Sequence, residues 1–129
     1  MSKNEEVEVE YYEDGTKKSE KHYKDGELDG VSTFWFENGN KFCEVHYKDG
    51  KRVGVGTRYY KRGTKYLETH YKNGKPDGVV NKWYEDGTKE SEEHYKDGKL
   101  DGVSTFLDED GMKSYEEHYK DGELVKTVA

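Results

Sequence analysis

The chain has five histidines, His22, His46, His70, His94 and His118, spaced 24 residues apart. Each follows a glutamate by two positions: Glu20, Glu44, Glu68, Glu92 and Glu116. Carboxylate beside imidazole is the equipment of a metal site or an acid/base pair. On a strand, residues two apart share a face about 7 Å along the chain, and equivalent histidines two strands over would lie about 9.5 Å away. A zinc–nitrogen bond is about 2.0–2.1 Å, so two such histidines do not share one ion. Five copies of one pair also argue against a single catalytic centre. The pattern reads as a ladder of cross-strand polar contacts on a solvated face, with no metal ligand assigned.

Other chemistries fare no better. Cys43 stands alone, which excludes a disulfide framework, and it has no counterpart in the other repeats. It reads as a small side chain in a strand rather than a nucleophile. No GxxxxGKS or GxGxxG string opens a helix, so no phosphate cradle and no cofactor is expected. Serines, histidines and aspartates abound, but no GxSxG elbow positions them. The sequence reads as that of a non-enzyme, with no catalytic residue.

The elements that would carry these residues are written as a repeat. His-Tyr-Lys-(Asp/Asn)-Gly begins at each histidine. Gly15, Gly39, Gly63, Gly87 and Gly111 form a second series, and Gly30, Gly54, Gly78 and Gly102 a third. Only Gly56 stands outside all three series. Lys17, Lys41, Lys65, Lys89 and Lys113 keep the same period. Residues 11–36 and 83–108 agree at 20 of 26 positions, as if a three-repeat block had been copied. Residues 1–129 therefore read as one repeat domain, with repeats at about 7–30, 31–54, 55–78, 79–102 and 103–125.

Leu, Val and Phe together make 20 of 129 residues, Ile is absent, and the net charge is -7. Such a composition resembles a disordered chain. Fifteen glycines, twelve tyrosines and regular aromatic spacing point to order on another plan. There is too little aliphatic material for a large enzyme core. The start, MSKNEEVEVE, has neither a basic nor an apolar leader region, and no apolar run nears the roughly 18 residues of a membrane helix. The expectation is a cytoplasmic protein with no membrane partner.

Each repeat reads as two strands. Val31-Ser-Thr-Phe-Trp-Phe36 leads to Asn38-Gly39, and Lys41 to Tyr47 leads to Asp49-Gly50. Both dipeptides are hairpin signals because these residues tolerate positive φ. The fold class is all-β: an elongated antiparallel meander of about ten strands, built from five 24-residue β-hairpin repeats. Stability accumulates through neighbouring strands, and Tyr and Trp bury area while tolerating water at one edge. Val31, Thr33 and Trp35 share one face; Ser32, Phe34 and Phe36 take the other. A two-residue turn at Asn38-Gly39 would pair Gly30 with Tyr47, whose ring would shield the glycine backbone. A three-residue turn with a bulge would swap the cross-strand faces. Glu5, Glu6, Glu8 and Glu10 charge the first edge against strand pairing.

Charge marks the middle. Residues 48–75 hold nine basic residues against Asp49 and Glu68, a balance of +7, so the rest carries -14. A basic middle between acidic ends suits the steering of a complementary partner. Arg58, Lys61 and Arg62 interleave with Tyr59, Tyr60 and Tyr66, the residue types of interface hot spots. With Trp35, Phe36, Trp83 and Tyr84 they make the candidate partner-binding set. Phe34, Phe36, Tyr60, Tyr84 and Phe106 form an aromatic column with Arg58 and Lys82 on the same face. The same mixture could stack on single-stranded nucleic acid, but the acidic flanks disfavour a long polyanion.

Tyr84-Glu-Asp-Gly-Thr-Lys89, then Glu92-Glu-His-Tyr-Lys-Asp-Gly-Lys-Leu-Asp-Gly102, resembles the MORN-repeat variant found in bacterial proteins of the YwqK antitoxin type. The resemblance covers about residues 7–125; residues 48–75 diverge from it. It implies an antitoxin or immunity protein that neutralises a protein partner, a toxin or defence effector, by occlusion. One alternative is a mobile-element-encoded inhibitor of a host nuclease or defence complex, with the acidic ends imitating nucleic acid. Another is a structural adaptor or self-assembling β-repeat scaffold. The expected state is a monomer or an edge-paired dimer.

Overall fold

The computed structural model describes residues 4–129; Met1–Lys3 lie outside the described residues. Thirteen strand segments form one antiparallel sheet that does not close. In chain order they are β1 (Glu5–Tyr11), β2 (Lys17–Lys24), β3 (Glu27–Leu28), β4 (Gly30–Trp35), β5 (Lys41–Lys48), β6 (Lys51–Tyr59) and β7 (Lys65–Lys72). There follow β8 (Lys75–Trp83), β9 (Lys89–Lys96), β10 (Lys99–Leu100), β11 (Gly102–Leu107), β12 (Lys113–Lys120) and β13 (Glu123–Val128). The short β3 and β10 continue β4 and β11, so the sheet has eleven rungs in sequence order. Ten spacings of about 4.8 Å make it roughly 48 Å long.

Two kinds of turn alternate, and together they settle the register. The Asp49-Gly50 type has positive φ at both residues, 48° and 81°, with Lys48 facing Lys51. That is a two-residue hairpin turn of the kind whose twist suits neighbouring strands. The Asn38-Gly39 turn is longer. Gly39 N–H donates to the Phe36 carbonyl (3.0 Å), and Phe36 N–H to the Asn40 carbonyl (2.8 Å). Gly39 has φ 91°, so this is a three-residue loop closed by a glycine bulge. A second bulge follows, because Trp35 faces Lys41 while Phe34 faces Cys43. Phe42 is the extra residue. The two bulges offset one another: Gly30 still pairs with Tyr47, and the faces do not swap.

Gly30 is not shielded by Tyr47, contrary to the expectation from its pairing. The atom nearest its missing Cβ is His22 Cβ, at 3.5 Å on the previous rung. Gly30 is glycine for its backbone, with φ 101°. An aromatic ring does cover a strand glycine elsewhere, Tyr71 over Gly56.

Adjacent hairpins are tied at their turns. Gly50 N–H donates to the Leu28 carbonyl, Gly74 to Arg52, Gly98 to Pro76 and Gly122 to Leu100, at 2.8–2.9 Å. At the opposite side, the Tyr60 and Tyr84 hydroxyls donate to the Trp83 and Leu107 carbonyls, both at 2.7 Å, and Tyr12 does the same to Trp35. Among the described residues no hydrophobic side chain is fully buried. The buried polar positions are small: Ser19, Ser32, Thr33, Thr57, Thr69, Ser91 and Ser104. Order comes from backbone ladders, turn docking and half-buried rings.

Candidate functional site

The register sorts the side chains onto two unlike faces. The back face holds Lys, Glu and His of every second rung, between rungs bearing Trp35, Tyr59, Trp83 and Leu107. Because of the bulge after each repeat lysine, that lysine reaches the glutamate three residues on. Lys17–Glu20 (2.8 Å), Lys41–Glu44 (2.9 Å), Lys65–Glu68 (3.2 Å), Lys89–Glu92 (2.6 Å) and Lys113–Glu116 (2.9 Å) are the five copies. His22 Nε2 also lies 3.2 Å from Glu20, within hydrogen-bond reach, and His94 Nε2 lies 3.5 Å from Glu92. The lysine bond is the first cause holding the Glu20, Glu92 and Glu116 carboxyls below their ordinary value. No group of three or more metal-ligating side chains forms among the described residues. The Glu–His contact is made in two of the five repeats, while His70 Nδ1 lies 2.7 Å from the Val79 carbonyl across the strands.

The front face is aromatic and, at its middle, basic. Phe36 and Phe42 meet with ring centres 5.0 Å apart, Tyr60 and Tyr66 at 5.0 Å, and Phe106 and Tyr115 stack at 4.6 Å. The Arg58 guanidinium lies over Phe42 at 5.1 Å, and Lys82 over Tyr66 at 5.3 Å. The expected column of Phe34, Phe36, Tyr60, Tyr84 and Phe106, with Arg58 and Lys82, does share this face.

The ten-residue candidate set is therefore divided. Phe36, Arg58, Tyr60, Tyr66 and Tyr84 lie on the front face. Trp35, Tyr59 and Trp83 lie on the back, where Lys17 and Lys65 sit over the two indoles, both at 5.8 Å. Lys61 and Arg62 occupy the exposed turn between β6 and β7. No single planar partner touches all ten.

Charge pairing separates the repeat lysines from the arginines. All three arginines of the chain fall between residues 52 and 62. Every repeat lysine is ion-paired, and Lys82 is held by Glu90 at 3.3 Å. Among the described residues no arginine joins an ion pair. Arg52 was not in the candidate set, yet it stands on the front face over Tyr71, 5.4 Å from the ring centre. Hydrogen bonding to Tyr47 raises its pKa against the opposing effect of burial, and the Tyr71 hydroxyl adds to the rise. Between Arg52 and Arg58 a groove of ≈ 280 Å³ opens over Cys43, Val45, Gly56, Leu67 and Thr69. Burial pushes the Cys43 thiol up, against the pull of Arg58 and Arg52, so it stays a neutral wall. The signals for this groove were the one glycine off the period, Gly56, and the confinement of arginine to residues 52–62.

An open hairpin array with an ion-paired back and an aromatic, arginine-bearing front defines a repeat-built binding module. Residues 7–25, 28–49, 52–73, 76–97 and 100–121 match the family described as the MORN repeat variant, and the chain belongs to that family. Its repeats are non-enzymatic modules that generally bind proteins or membranes. No curated protein matches the chain.

Proposed function

We propose that the chain is a stoichiometric protein-binding module of the antitoxin or immunity type, acting in the cytoplasm. It neutralises a toxin or other effector by covering that partner's working surface with its front face. The observation that carries this reading is the set of unpaired arginines among half-buried rings. Arginine and aromatic side chains dominate interface energetics, and a ring-stacked guanidinium loses little freedom on binding. A sheet tied at every turn is ordered before it meets its partner, which lowers the entropic cost of association. In this reading Arg58, Tyr60, Tyr66, Phe36 and Tyr84 make the contact, Arg62 and Lys61 extend it at the turn, and Trp35, Tyr59 and Trp83 brace the sheet from behind.

The test is capture of the partner by the tagged protein with and without nuclease, followed by co-expression with the captured protein to score relief of its toxicity. Capture that survives nuclease, fails with Arg58→Glu/Arg62→Glu and comes with relief of toxicity supports the reading. Capture unchanged by that double reversal removes the proposed site.

A second reading has its own observation. Glu6, Glu8 and Glu10 of β1, and Glu93 and Glu117 of β9 and β12, share the front face at its two ends. Carboxylates so placed could imitate a phosphate backbone for a nuclease or defence complex. Reversal of these glutamates, rather than of the arginines, would then abolish capture.

A further inference from the structure

We infer that the groove between Arg52 and Arg58 is an anchor for acidic side chains, taking a short extended segment of a partner protein with a carboxylate at each end and an apolar residue between. The inference rests on the protein-binding reading and names the chemistry of the contact.

Both guanidiniums stand on the front face of β6, one at each end of the groove. Each lies over a ring, Arg58 on Phe42 at 5.1 Å and Arg52 on Tyr71 at 5.4 Å, contacts that restrict where the guanidinium can go. A fixed, planar fork is the geometry that receives a carboxylate through two parallel hydrogen bonds.

One residue sets how the rings and arginines are arranged around this space. Gly56 is buried at the floor and occupies the repeat position held elsewhere by Ser32, Val80 and Ser104. With no side chain there, the Tyr71 ring moves in until its Cε2 is 2.9 Å from where a Cβ would sit. Val45 and Leu67 make the remaining floor apolar.

No carboxylate lines the groove. Glu44 and Glu68 flank Thr57 on neighbouring rungs, but they share its back face and are held there by Lys41 and Lys65. The site therefore presents positive charge that the chain itself does not neutralise. A protein segment is favoured over nucleic acid by what surrounds it. On the same face the glutamates of β1 lie four rungs away, about 19 Å, and Glu93 of β9 three rungs the other way, about 14 Å. Those rows repel a polyanion that runs on across the sheet, whereas a short acidic segment ends before reaching them.

The test titrates the full chain, by amide chemical shifts, with three probes: a peptide with two glutamates around a Leu-Val pair, the same peptide with glutamines, and a twelve-nucleotide oligothymidylate. The glutamate peptide should shift residues of β5, β6 and β7 saturably and bind at least tenfold more tightly than the glutamine peptide. Arg58→Ala and Arg52→Ala should each weaken it about tenfold or more, and Gly56→Ser, which restores the residue of other repeats, should also weaken it. Lys126→Ala, exposed on β13, should leave it within twofold. Equal binding of both peptides, indifference to Gly56→Ser and Arg58→Ala, or tighter binding of the oligonucleotide would overturn the anchor. Toxin capture that persists in the groove variants would refute the anchor while leaving neutralisation standing; peptide binding without any toxin capture would do the reverse.

Discussion

Tyr71 lies across Gly56, its Cε2 2.9 Å from the position a Cβ would take. The contact is with the outer edge of a ring, which can swing, and Gly56 is not among the glycines with positive φ. Alanine at 56 should therefore displace the ring without straining the backbone. The near-ultraviolet circular dichroism should change, while the urea midpoint reports a stability shift under about 1 kcal/mol. A loss above roughly 3 kcal/mol would mean that the backbone, not the ring, had to move.

The tyrosine clamps offer a cleaner energy. Removing the hydroxyl of Tyr60 or Tyr84 frees the Trp83 or Leu107 carbonyl, and each Tyr→Phe change should cost about 0.5–1.5 kcal/mol by urea unfolding. Phe36 occupies the same repeat position, so the ring without its hydroxyl is tolerated there. A cost near zero for both would show that solvent already satisfies these carbonyls.

At the Asp97-Gly98 turn, φ is 49° and 85°. Gly98→Ala should lose about 1–2 kcal/mol through backbone strain alone, since the Lys75 side-chain atoms near its Cβ position stand at an ordinary 3.5 Å or more. Asp97→Asn should be neutral, because Asn73 holds φ 51° at the equivalent turn. Thermal midpoints would distinguish the two.

Two neighbouring glutamates should respond to pH with opposite signs. The Lys89 hydrogen bond holds Glu92 below its ordinary value, so its stabilisation is present above the unfolded pKa and is lost as pH falls through the folded one. Glu93 is pushed up by burial first and then by Glu117, so its charged form opposes folding at neutral pH. At pH 7, Glu92→Gln should lower the urea midpoint and Glu93→Gln should raise it. Both differences should shrink as pH falls and the two carboxyls take up protons, Glu93 before Glu92. Shifts of the same sign would contradict the assigned environments.

Period and turn dipeptides made the hairpin array legible from sequence, because Asn-Gly and Asp-Gly between β-branched or aromatic runs leave few other folds. The Gly30–Tyr47 pairing was legible for the same reason, yet the turn that produces it was not. The extra residue of the Gly39 loop is cancelled by the bulge at Phe42, and nothing in the local pattern announces a compensating bulge. Thirteen segments rather than about ten strands arise because two of the eleven rungs are broken, at Asp29 and at Asp101. The candidate site was half legible. Composition located the basic repeat, but alternation past a bulge decides the face, and that separates Trp35, Tyr59 and Trp83 from Arg58 and Tyr60. Arg52 went unnoticed because its role comes from the ring of Tyr71, 19 residues away.

The docking of each Asp-Gly turn on the strand before it has a consequence for how such a gene changes. Gly50 reaches Leu28, Gly74 reaches Arg52, and Gly98 reaches Pro76, so these ties span just under one repeat. A crossover that adds or removes 24 codons in phase would leave every junction chemically familiar to its new neighbour. The molecule would grow or shrink by two strand spacings, roughly 10 Å, and still close all its bonds. Length is thus a coordinate open to recombination, independent of which repeat carries the arginines, and the reach of the sheet can be retuned without redesigning its grip.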